Sequence, residues 1–99
     1  MTPPTWVHQT ELLKHYRKHG SKLPVQSVQE YEASALDTIR AGVRFTFVDT
    51  AKGLQRVGYY DSVTNRLTVL SDDELLILSH SPPDRGEQYV RDRPGSTYS

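Results

Sequence analysis

The sequence predicts an α+β fold, two N-terminal helices packed on one face of an antiparallel sheet of about four strands. Two observations carry that expectation. Up to residue 41 the apolar residues recur at helical spacing, and from Val43 onward the period changes to two. Helices followed by consecutive strands form separate layers instead of alternating crossover units. The 99 residues make a single domain. Within it, 1–9 reads as an irregular leader, 10–81 as the helix–helix–sheet core and 82–99 as a turn-rich tail.

The first helix is expected from about Thr10 to His19, with Leu12, Leu13 and Tyr16 on one face. Gly20 is its expected left-handed stop, and the cations of the last turn suit the negative end of the dipole. After the connector "SKLP", the run "SVQE" is a capping box in which Ser27 accepts from the Glu30 amide and Glu30 reaches back. The second helix continues to about Ala41 and ends at Gly42, with Val28, Tyr31, Ala35 and Ile39 at helical spacing. "VRFTFVD" then alternates Val43, Phe45 and Phe47 against Arg44 and Thr46. "LQRVGYY", "RLTVL" and "LLILSH" give three further strands, joined by turns at "AKG", "DSVTN" and "SDDE". In the tail only "EQYVR" is expected to be ordered, as a short strand or clamp. The sheet face away from the helices is expected to be partly open, and a ligand would lie there.

Composition narrows the chemistry. No cysteine is present, which excludes disulfides, cysteine zinc sites and thiol nucleophiles. No apolar run reaches membrane-spanning length, and the opening "MTPPTWVHQ" lacks the pattern of a signal peptide. The formal net charge of zero hides an asymmetry: residues 1–23 hold four cations and one acid, whereas 71–99 hold six acids and three arginines. A polyanion would therefore meet a local basic patch, not a basic whole.

The stretch "KHYRKHG" places His15 and His19 four residues apart, on one helix face, beside Arg17 and Lys18. Adjacent cations repel a divalent metal, so no metal site is assigned. Two readings are left for the stretch: a solvated helix end, or a phosphate site where cations neutralise an anion and an imidazole moves a proton. Arg66 opens a strand after a turn and offers a guanidinium fork to a phosphate; Arg44 and Arg56 have similar standing. In "LLILSHSPP" Ser79 interrupts an apolar strand, with His80 on the opposite face. Of Tyr59 and Tyr60, at most one can be free to stack on a base.

Taken in order, "HYRKHG", "SVQEYEASA", "GYYDSVTNRLTVL" and "ILSHS" resemble the ribonuclease toxin domains of the barnase–EndoU–colicin–RelE (BECR) superfamily, in its colicin D-like branch. The resemblance covers roughly residues 11 to 81. It implies that His19 is the general base or acid, that Lys18 stabilises the phosphorane and that Ser79 supplies the late strand hydroxyl. His15 becomes a second catalytic partner or a structural residue. Thr64, Asn65 and Arg66 are implied to line the substrate groove; Arg17, Tyr60 and Arg44 are further candidate substrate contacts on their own chemistry, as cations for phosphate and a ring for a base. Ser81 departs from the aromatic or hydrophobic residue common at that place. The implied reaction is metal-independent endoribonuclease cleavage, by 2′-hydroxyl attack, to 2′,3′-cyclic phosphate and 5′-hydroxyl ends. No cofactor is called for. The expected partners are RNA, with transfer RNA first by analogy, and a cognate antitoxin or immunity protein. The expected setting is cytoplasmic, that of a target cell if the domain belongs to a secreted toxin. The alternative is a non-catalytic RNA-binding or protein-interaction domain of the same fold.

Overall fold

A computed structural model describes residues 4–99. The elements are β1 (Thr5–Trp6), α1 (Gln9–His19), a 3-10 turn (Gly20–Lys22), α2 (Val28–Ala41), β2 (Val43–Asp49), β3 (Leu54–Asp61), β4 (Arg66–Leu70), β5 (Leu76–Ser81) and α3 (Glu87–Arg91). The architecture is α+β, with a five-stranded mixed sheet in the order β1-β5-β4-β3-β2.

The fifth strand corrects the expected four antiparallel ones. Part of the predicted leader, Thr5 and Trp6, runs parallel to β5 opposite Leu76 and Ile77, with the Thr5 amide donating to the Leu75 carbonyl at 3.2 Å. Met1 to Pro3 of that leader lie outside the described residues. Trp6 is the physical reason for the pairing: its side chain is buried with Leu12, Tyr31 and Ile77, so the extended segment is held by packing. Other local expectations also change. Gly20 is right-handed (φ −58°, ψ −35°) and opens the 3-10 turn instead of stopping the helix in the left-handed region. The "EQYVR" segment is a short helix.

The α2 start follows local chemistry. Ser27 is extended, and its hydroxyl accepts from the Glu30 amide at 3.1 Å. That bond satisfies one of the donors every helix start leaves free, so Ser27→Ala should cost about 1 kcal/mol. Thermal unfolding would read this as a drop of roughly 4–8 °C in midpoint, for a domain of this size.

The sheet is buried on both sides. On one side Tyr31 and Ala35 of α2 and Leu12 of α1 pack against Trp6, Leu70 and Ile77 of the sheet. On the opposite face Phe45, Tyr60 and Leu67 pack against Val90 of α3 and Tyr98 of the tail. The tail also lies along the outer edge of β2, where the Thr97 amide donates to the Thr46 carbonyl at 3.0 Å and the Val48 amide to that of Pro94 at 2.8 Å. An otherwise open strand edge is thereby covered. The face expected to be open is thus half closed, and what stays open is a groove.

Candidate functional site

That groove encloses about 770 Å³ on the side of the sheet away from α2. Leu67, Val69 and Phe47 contribute to its floor together with Leu78 and Ser79 of β5. His8, Glu11 and Lys14 line it from the N-terminal segment and α1, Lys52 and Arg56 from the β2–β3 hairpin, and Tyr89 and Arg93 from α3 and the tail.

A β-bulge puts Ser79 there. Val69 pairs with Ser79, but the next residue, Leu70, pairs with Ile77, so Leu78 is extra. Strict alternation would send Ile77 and Ser79 to one face. With the extra residue, Ile77 faces the core beneath the helices and Ser79 faces the groove.

The groove is positive. Arg56 lies 3.7 Å from Asp49, whereas Lys14 and Lys52 form no ion pair among the described residues. Arg93 stands 3.9 Å above the Tyr89 ring and donates to the Tyr89 carbonyl at 3.1 Å. Four cations thus meet two acids, Glu11 and Asp49, around a serine hydroxyl and two aromatic rings. An anion with an unstacked aromatic group matches such a surface.

The residues predicted from sequence divide. Ser79 lines the groove; His15 and His19 are not among its lining residues. The two rings form a row, His15 between Trp6 (5.6 Å between centroids) and His19 (6.0 Å), with Glu11 at 3.7 Å from His15. Burial lowers the pKa of both; Lys18 lowers each further, while Glu11 and Asp84 act in the other direction on His15 and His19 respectively. Both imidazoles are therefore neutral at pH 7. Arg17 and Lys18 are exposed on the outer side of α1.

Arg66 turns to the helix side, where its Nη1 donates to Ser34 Oγ at 2.9 Å. Thr64 is exposed in the β3–β4 turn. Asn65 is left-handed (φ 55°), accepts from the Tyr60 hydroxyl at 2.7 Å and donates to the Pro83 carbonyl at 3.1 Å, tying the turn to the tail. Tyr60 and Arg44, like Thr64, Asn65 and Arg66, are not among the groove's lining residues. Tyr60 is only 3% exposed and packs edge-on to Tyr98, so it offers no open ring face to a base. Arg44 lies on β2, at the far edge of the sheet from β5, and is paired with Glu74 at 3.2 Å.

His80 belongs to a sealed network on the helix side. Its Nδ1 is 2.9 Å from Thr68 Oγ1, which donates its own proton to the Ala35 carbonyl at 3.0 Å. Nδ1 must therefore carry the imidazole proton, and Nε2 accepts from Ser34 Oγ at 2.9 Å. Every polar atom is used only if the ring is neutral. Burial accordingly depresses its pKa to about 4.

Sequence reasoning missed His8, Lys52, Tyr89 and Arg93 as groove residues, because they come from segments far apart in the chain. Lys14 was legible: it sits four residues before Lys18 on the same helix, at the head of the "KHYRKHG" stretch. No family model matches this chain, and no curated protein matches it.

Proposed function

We propose that the chain is a metal-independent endoribonuclease whose scissile phosphate lies in the groove over Ser79. The observation that carries this reading is the Ser79 hydroxyl on the floor of a groove walled by Lys14, Lys52, Arg56 and Arg93, with Phe47 and Tyr89 beside it. In the proposed reaction a ribose 2′-oxygen attacks the adjacent phosphorus while a base removes its proton. The Ser79 hydroxyl and the cations hold the added negative charge of the phosphorane. The phosphorus–O5′ bond then breaks, the 5′-oxygen takes a proton, and a 2′,3′-cyclic phosphate is left. His8 is the imidazole that the groove itself offers, and His19 is the one that the family resemblance implies. Transfer RNA and a neutralising antitoxin or immunity protein enter from the same resemblance. Among the described residues no helix is long and apolar enough to cross a membrane.

Incubating purified protein with RNA in EDTA should yield cyclic-phosphate and 5′-hydroxyl ends. Ser79→Ala should slow cleavage on the order of 100-fold, the usual loss for one donor to a developing oxyanion. His8→Ala and His19→Ala, compared side by side, assign the base, since losing it costs roughly 100-fold or more. Intact RNA, or a Ser79→Ala protein as fast as wild type, would overturn the proposal. One observation favours the non-catalytic alternative: among the described residues no hydrogen bond joins Ser79 to an imidazole. A protein that retards RNA on a gel without cutting it would fit that reading.

A further inference from the structure

The ion pairs of this chain are unevenly distributed. Of its eight arginines, Arg40, Arg44, Arg56, Arg85 and Arg91 each lie beside a carboxylate. Arg66 and Arg93 donate instead to Ser34 and to the Tyr89 carbonyl, which leaves Arg17 and the four lysines with no such partner among the described residues. Four of these five free cations fall within nine residues: Lys14, Arg17, Lys18 and Lys22, on α1 and the 3-10 turn that prolongs it. All four are exposed. The acid on the same helix, Glu11, is turned to His15.

Helical spacing makes this a ridge instead of a scatter. Lys14, Arg17 and Lys18 stand at i, i+3 and i+4, so they are neighbours on one face, and the row spans about 12 Å from Lys14 to Lys22. One end of it is already in the groove, since Lys14 is one of its lining residues, as Lys52 is. Four like charges that no carboxylate pairs with among the described residues cost folding energy through mutual repulsion. Their clustering at one end of α1, joined to a positive groove, is what a strand leaving that groove would need.

We infer that the ridge of Arg17, Lys18 and Lys22 is a docking rail for the RNA strand that flanks the groove, holding its phosphates in sequence-independent register. The inference rests on the ribonuclease reading and adds a second, non-catalytic contact zone to it. Its occupant is single-stranded RNA, because the rail continues the groove and tracks one backbone over about two helical turns. Phosphate contacts by lysine and arginine position a strand without reading it.

The test measures binding of a fluorescein-labelled twelve-nucleotide single-stranded RNA to the full chain carrying Ser79→Ala, with and without Arg17→Gln, Lys18→Gln and Lys22→Gln together. All three positions are exposed, so thermal unfolding should be unchanged, which controls for folding. Affinity at low salt should fall at least tenfold. The slope of log affinity against log salt should also become shallower by about 2, near 0.7 for each phosphate no longer neutralised. Unchanged affinity and slope would overturn the rail while leaving the ribonuclease proposal intact. Weakened binding by the triple variant, with wild-type protein that never cuts RNA, would sink the nuclease and keep the rail. Binding of polyglutamate in place of RNA would overturn the rail in favour of an acidic protein partner.

Discussion

Acidification from pH 7 to pH 4 is expected to cost the fold about 3 kcal/mol through one imidazole, that of His80. In the native state its pKa is depressed to about 4, chiefly by burial, from the ordinary 6.5. Between those two values the unfolded chain holds a proton that the native chain excludes, so stability rises with pH across that window. The contribution is complete above about pH 6.5 and is lost progressively as the pH falls to about 4. The hydrogen bonds explain why the ring resists charging. Nε2 already accepts from Ser34, and Ser34 Oγ already accepts from Arg66. A proton on Nε2 would take away the acceptor of the Ser34 hydroxyl proton and put a second cation beside a guanidinium, at a side chain fully buried from solvent. Urea unfolding at a series of pH values should show this slope, and His80→Gln, which keeps polar atoms but does not titrate, should flatten it. His15 and His19, whose pKa values burial also lowers, add their own smaller share, which the comparison subtracts. An imidazole resonance of His80 titrating near pH 6.5 in the folded protein would refute the account.

Gly58→Ala should destabilise the protein by about 3 kcal/mol, the upper end of the usual cost of overpacking. Gly58 pairs with Phe45 across β2 and β3, and the Phe45 ring lies over it. A Cβ at that position would stand 2.4 Å from Cζ and 2.5 Å from Cε1 of the ring. The ring has nowhere to retreat: it is 1% exposed, stacked with Phe47 at 5.7 Å and met edge-on by Tyr98 at 5.7 Å. Relief must therefore come from the sheet or from the tail, whose detachment would also remove the Tyr89 and Arg93 wall of the groove. A double-mutant cycle isolates the cause. Against a Phe45→Ala background, Gly58→Ala should cost nothing further, because the atoms it strikes are gone. Equal costs in both backgrounds would place the strain elsewhere.

Features of this protein whose causes lie within three or four residues were legible in the chain alone. The Ser27 cap and its helical stripe set α2; the alternation of Val43, Phe45 and Phe47 against Arg44 and Thr46 set β2; cations crowded the last turn of α1. The absence of cysteine closed off whole classes of chemistry outright. Tertiary structure alone decided which way Ser79 faces. The run "LLIL" has no alternation, so it carries no preference for either side of a sheet. Its orientation was chosen by partners far along the chain: Leu70 and Trp6 around Ile77, then Ser34 and Thr68 around His80, with the surplus residue expelled as a bulge at Leu78. The parallel strand at Thr5 and the tail over β2 have the same origin. Each depends on burying a ring, Trp6 or Tyr98, against residues whose proximity the fold itself creates.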